Sequence, residues 1–106
     1  MEQRLFELLN LLVKYNTESP PGRNTDPLQD EIEHILKTLN FDIQREHLYD
    51  NDSVIVAILK GKDKDAPKLI LNGHVDVANV DDDANWQYPP FQLTEKEGWL
   101  YGRGVS

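Results

Sequence analysis

Three observations in this 106-residue sequence predict a layered α/β fold. Two early stretches carry apolar residues at helical spacing, and later stretches are rich in β-branched and apolar residues. Clusters of Pro, Gly, Asn and Asp separate them. Together they predict an α/β/α-type arrangement, with two N-terminal helices packed on a mixed sheet. The length suits one small domain, residues 1–106, with a modest core.

The first helix is expected over residues 2–15. Leu5, Leu8, Leu9 and Leu12 make an apolar stripe, widened by Phe6 and Val13. "NTESPPGRNT" then reads as a loop, because two prolines and a glycine interrupt the pattern. A second helix is expected from Asp26. Asp26 suits the N-cap, Pro27 the first helical position, and Gln29 completes a capping-box pattern. Asp30 and Glu31 favour the positive end of the helix dipole. Leu28, Ile32, Ile35, Leu36 and Leu39 share one face, and Asn40 suits a left-handed stop.

The period then changes. "FDIQREH" alternates like a strand, and "DND" is a turn. "SVIVAILK" is apolar at nearly every position, as in a strand covered on both faces. "GKDKDAP" is an exposed turn, and "KLILNGHVDV" reads as the next strand. Residues 78–90 form a loop holding Asp81, Asp82 and Asp83. A hairpin follows, with Phe91 to Thr94 and Trp99 to Tyr101 joined by a turn near Glu97 and Gly98.

Composition narrows the function. Eleven basic residues face 19 acidic ones, a net charge of -8. That disfavours nucleic acid and anionic membranes, since phosphate binding needs a basic stripe. With no cysteine, disulfides, thiolate metal sites and cysteine nucleophiles are excluded, and a cytoplasmic setting is expected. The N-terminus does not read as a signal peptide: Glu2, Glu7 and Asn10 interrupt it. No apolar run approaches the roughly 20 residues that span a bilayer. No G-x-S-x-G supports serine chemistry.

The chemistry concentrates in "NGHVD". In a strand, His74 and Asp76 point to the same face. A carboxylate beside an imidazole fixes its tautomer and strengthens the free nitrogen as a metal ligand. Strand ends of open α/β sheets are also where ligands bind, and Gly73 permits close approach to the backbone. The other reading is a strand-end histidine hydrogen-bonded to a turn carboxylate. His34 and His47 read as solvated. The three aspartates offer oxygen ligands but lack the glycine and distal glutamate of a calcium loop. Arg103 could contact a carboxylate ligand, although turn geometry explains its flanking glycines. Trp86, Phe91, Trp99 and Tyr101 read as packing residues.

"GHVDV", then "W", "PPF" and "GWLYGRG", with "SPPG" earlier, resemble the zinc-dependent amidohydrolases and exopeptidases around acetylornithine deacetylase. Succinyl-diaminopimelate desuccinylase, carboxypeptidase G and the aminoacylases belong to the same group. The resemblance runs along the whole chain. It implies His74 as a metal ligand and Asp76 as a catalytic residue holding that imidazole. It implies zinc as cofactor (one or two ions, or cobalt) and an N-acyl amino acid or small peptide as substrate. The family's metal-bridging aspartate, general-base glutamate and remaining ligands come after the "GRG" segment, and the chain stops at Ser106. The expectation is therefore an incomplete catalytic domain, inactive as it stands. The rival expectation is a non-catalytic α/β module. Either way, an incomplete sheet exposes an edge and apolar faces, which predicts a homo-oligomer.

Overall fold

The structure, a computed structural model, describes residues 2–81 and 85–105. Among these, two helices and two separate antiparallel two-stranded sheets form, not one mixed, layered sheet. The chain divides into two compact units: residues 1–24 with 75–106, and residues 25–74.

The contiguous unit holds α2 (Asp26–Thr38), β1 (Asp42–Tyr49) and β2 (Asp52–Ile58). The hairpin turns at Asn51, whose φ of 62° is the left-handed value that asparagine tolerates. Asn40 ends the helix at φ 65°, as its sequence position predicts. The expected capping box does not form. Thr25 is the N-cap, and its hydroxyl donates to Asp52 at 2.6 Å. The Gln29 amide donates to the Ser53 carbonyl at 2.9 Å. Asp26 also turns to the hairpin, accepting from the Ser53 hydroxyl at 2.6 Å. Strand partners brought in by tertiary packing replace the local bonds of the box.

Arg45 ties this unit together. Its guanidinium reaches Asp30 at 2.6 Å, Glu33 at 2.8 Å and Asp26 at 3.1 Å, and donates through Nε to the Ser53 hydroxyl. Burial works against the charge on Arg45, but bonds to Glu33, Asp30 and Asp26 outweigh it and raise its pKa. The Ser53 hydroxyl leads in lowering the pKa of Asp26, against the opposing effect of burial and with help from Arg45. Glu33 is lowered chiefly by Lys37, then Arg45. Because both carboxyls titrate lower when folded, the unfolded chain binds more protons below their ordinary values of 3.8 and 4.5. Their contribution is complete at neutral pH and is lost as the pH falls through the folded values. Urea midpoints should therefore hold steady from pH 7 to about pH 5 and drop below about pH 4. A midpoint still flat at pH 3 would contradict that ion-pair role.

β2 was expected to be covered on both faces. In the structure Ser53 is buried and Ile55 and Ala57 half-buried, while Val54, Val56 and Ile58 on the other face stay exposed. Nor does "KLILNGHVDV" form the expected strand. Leu69, Ile70 and Leu71 are 84, 85 and 87% exposed, and no ladder partner meets them among the described residues. An apolar run becomes a strand only when neighbouring backbone satisfies its N–H and C=O groups.

The other unit joins the two ends of the chain. It holds α1 (Gln3–Val13), β3 (Thr94–Lys96) and β4 (Trp99–Tyr101). In α1 Val13 is buried and Phe6, Leu8, Leu9 and Leu11 are half-buried, while Leu5 and Leu12, placed on the expected stripe, are exposed. The predicted turn forms at Glu97 and Gly98, at φ 54° and 81°, but the strand starts at Thr94, later than Phe91. Leu93 and Val13 supply buried apolar residues. Trp99 is 71% exposed and does not pack as expected. At Gly102 an added Cβ would lie 2.9 Å from Val13 Cγ1 and 3.0 Å from Val105 Cγ2. Gly102→Ala should therefore cost about 1–3 kcal/mol through overpacking. Thermal unfolding measures it, and an unchanged Tm would refute the close packing. Among the described residues no helix is long and apolar enough to cross a membrane.

Candidate functional site

The two expected site residues belong to different units. His74 is the last residue of the contiguous unit and is exposed, as are residues 69–73 before it. No heavy atom lies within 4 Å of a Cβ built on Gly73, so the chain is open beside it. Asp76 belongs to the unit built from the chain ends, and its side chain is exposed between half-buried Val75 and Val77.

The backbone around Asp76 is held on both sides. The buried Thr17 hydroxyl donates to the Val75 carbonyl at 2.6 Å. Val77 N–H donates to Thr17 O at 3.0 Å, and Ser19 N–H donates to Val77 O at 2.8 Å. Glu18 and Val77 thereby form a parallel bridge. Farther on, Asn79 Nδ2 donates to Pro20 O at 3.2 Å, and Val80 N–H donates to a Glu18 carboxylate oxygen at 3.4 Å. The "NTESPP" stretch, read from sequence only as a loop, is thus a clasp on the segment carrying Asp76. Thr17 and Glu18 are positioning residues that sequence reasoning missed. The available signal was one β-branched residue among turn formers, too faint to separate a bridge from a loop.

The "GRG" segment supports the same stretch. Arg103 donates through Nη2 to Asn79 O at 3.2 Å, and its guanidinium lies 4.7 Å from the centre of the Trp86 ring. Its N–H donates to Pro90 O at 2.7 Å. A Cβ on Gly104 would meet Val77 Cγ1 at 3.0 Å, so a small residue is needed there. Arg103 is thus engaged through Nη2 and its backbone, while its buried Nε meets no hydrogen-bond partner among the described residues; close packing limits Gly102, and a φ of 87° with close packing limits Gly104. The Tyr88 and Tyr101 rings meet at a 53° tilt with centres 4.7 Å apart, on the wall of an open hollow of about 640 Å³.

The remaining candidates divide. His34 is exposed. His47 is largely exposed, with Nδ1 3.6 Å from Asp26 Oδ2. Asp82 and Asp83 lie outside the described residues, and Asp81 is exposed at φ 49°. Among the described residues no three His, Cys, Asp or Glu side chains assemble into a group able to hold a metal ion. A zinc site needs three or four donors. The donor set here does not complete one, so no catalytic step is derived through a metal in this chain.

No family model matches the chain. It is 43% identical over 106 residues to the N-formyl-4-amino-5-aminomethyl-2-methylpyrimidine deformylase of Bacillus subtilis. The match takes in 99% of this chain and 25% of that protein. The protein of the same name from Halalkalibacterium halodurans is 42% identical over the same shares. A Staphylococcus aureus protein named probable succinyl-diaminopimelate desuccinylase is 38% identical over 110 aligned positions. The chain is homologous to this amidohydrolase group. It spans about a quarter of the length of the curated relatives it matches. The homology confirms the resemblance drawn from "GHVDV", "PPF" and "GWLYGRG".

Proposed function

We propose that the chain is the N-terminal part of a metal-dependent amidohydrolase. The reaction is hydrolysis of an amide carried by a small molecule: water adds to the acyl carbon, the C–N bond breaks, and acid and amine leave. The observation that carries this reading is identity above 40% to two deformylases along 99% of the chain, with His74 and Asp76 inside the matched segment. The more similar relatives favour an N-formyl substrate on a small heteroaromatic amine. The acyl-amino-acid substrates of the desuccinylase type are the second choice, on lower identity.

In this reading His74 would offer one imidazole nitrogen to a metal whose other ligands lie outside these residues. Asp76 would accept the imidazole's other N–H, fixing the tautomer and supporting the ring's positive character. The clasp formed by Thr17 and Glu18 fixes the backbone from which Asp76 projects. Bound zinc, as one or two ions, would polarise the acyl oxygen and make a water acidic near pH 7. The other ligands and the general base are proposed to lie in the remainder of a longer protein, so residues 1–106 alone are expected to be inactive. The absence of cysteine supports a cytoplasmic setting, proposed on that ground.

A hybrid enzyme tests the proposal. The matched quarter of the Bacillus subtilis deformylase is replaced by this chain, and release of formate is measured. Activity well above background is expected. A folded, metal-loaded hybrid with no turnover would argue that the chain has lost the catalytic role.

A further inference from the structure

We propose, resting on the amidohydrolase reading above, that the buried hydroxyl of Thr17 is what positions Asp76 for the reaction. Three observations carry this, all within the unit built from the chain ends.

The first is a bracket. Each peptide unit is planar, so the two planes flanking a residue set its φ and ψ. The plane entering Asp76 contains the Val75 carbonyl, which accepts from the Thr17 hydroxyl at 2.6 Å. The plane leaving Asp76 contains the Val77 N–H, which donates to the Thr17 carbonyl at 3.0 Å. One residue thus holds both planes. With φ and ψ of Asp76 fixed, so is the direction in which its side chain leaves the backbone.

The second is burial. Thr17 is 2% exposed, the least of the buried polar residues among those described. A hydroxyl taken out of water costs free energy unless a hydrogen bond offsets it. Valine would fill the same space with no such cost, so the hydroxyl is accounted for by its bond to the Val75 carbonyl. Branching at Cβ also restricts the side chain to few rotamers, which keeps the oxygen aimed.

The third is that the hydroxyl can be removed without opening the clasp. Val77 N–H to Thr17 O and Ser19 N–H to Val77 O are main-chain bonds, independent of the side chain at position 17. Asn79 still reaches Pro20, and Val80 still reaches Glu18. Loss of the hydroxyl frees the plane entering Asp76 and leaves the segment attached. The result is a misaimed carboxylate on a folded protein. Thr17 is a positioning residue: its effect on turnover passes through Asp76.

The hybrid deformylase carries the test. Thr17→Val should lower kcat by about tenfold, the low end of what losing a supporting partner costs, with KM within about twofold. Thr17→Ser keeps the hydroxyl and should hold kcat within about threefold of the parent hybrid. A double-mutant cycle separates positioning from mere stabilisation. On an Asp76→Asn background, Thr17→Val should change kcat by less than about twofold, because the two residues act in series. A full tenfold loss on that background would overturn the proposal, as would a kcat unmoved by Thr17→Val alone. Should Thr17→Val not fold, Thr17→Ser stands in its place, and a kcat loss beyond about threefold with the hydroxyl kept would overturn the proposal. A parent hybrid without turnover would sink the amidohydrolase reading instead. Thr17 is then judged by NMR in the 106-residue chain. There Thr17→Val should change the Asp76 HN–Hα coupling, which reports φ, and speed exchange of the Val77 amide by about tenfold or more. If neither moves, the bracket does not hold Asp76.

Discussion

His74→Ala in the hybrid deformylase is expected to remove turnover by more than about 100-fold, exceeding what the loss of a ligand's hydrogen-bond partner costs. The reason is chemical. A methyl group cannot donate to a metal, and no other histidine among the described residues comes into a metal-holding group with it. Metal content should fall in parallel. Asp76→Asn is expected to keep the fold and most of the metal while turnover drops by about 10- to 100-fold. An amide orients the imidazole less firmly and removes the negative charge that supports it. The fold should survive because Asp76 is exposed and its neighbours are held through Val75 and Val77 backbone atoms. Unchanged kinetics for Asp76→Asn at normal metal content would remove Asp76 from the proposed chemistry. Full activity of His74→Ala would remove the proposal itself.

Arg45→Ala should be the most damaging single change to the contiguous unit. It deletes the cation that Asp26, Asp30 and Glu33 share and leaves three carboxylates together on one helix face. It also strips the Ser53 hydroxyl of a donor. Breaking a fully buried ion pair costs about 3–5 kcal/mol. Asp30 is 70% exposed and water can screen the rest, so about 2–3 kcal/mol is expected instead. That is a large share for a unit whose one buried apolar residue among those described is Leu28. Arg45→Lys should recover part of the loss, since a lysine brings the charge without the planar fork. Urea unfolding followed by circular dichroism gives both values. A midpoint unmoved by Arg45→Ala would show that the network contributes nothing net.

The sequence made both helices and the β1–β2 hairpin legible, because their signals are local: apolar spacing, a proline at the helix start, and asparagines where φ turns positive. What it concealed depends on partners distant in sequence. The Leu69–Leu71 run has the residues of a buried strand, and only the presence or absence of a neighbouring strand decides whether it becomes one. The capping box was similarly displaced by Asp52 and Ser53, more than twenty residues away. At the site, His74 and Asp76 were visible as a short pattern two residues apart. The role of Thr17 was not, since its bond to Val75 spans 58 residues and leaves no periodic trace.

The division of the chain also has a consequence in time. Residues 25–74 form their unit from neighbours in sequence, so its contacts close short loops and can be made as soon as that stretch leaves the ribosome. The clasp on Asp76 joins residues 17–20 to residues 75–80 and requires both flanks. During synthesis the helix and hairpin therefore stand ready first, while the leading 24 residues wait for the returning segment to arrive. The acid group proposed for chemistry is therefore fixed in place only after the helix and hairpin of residues 25–74.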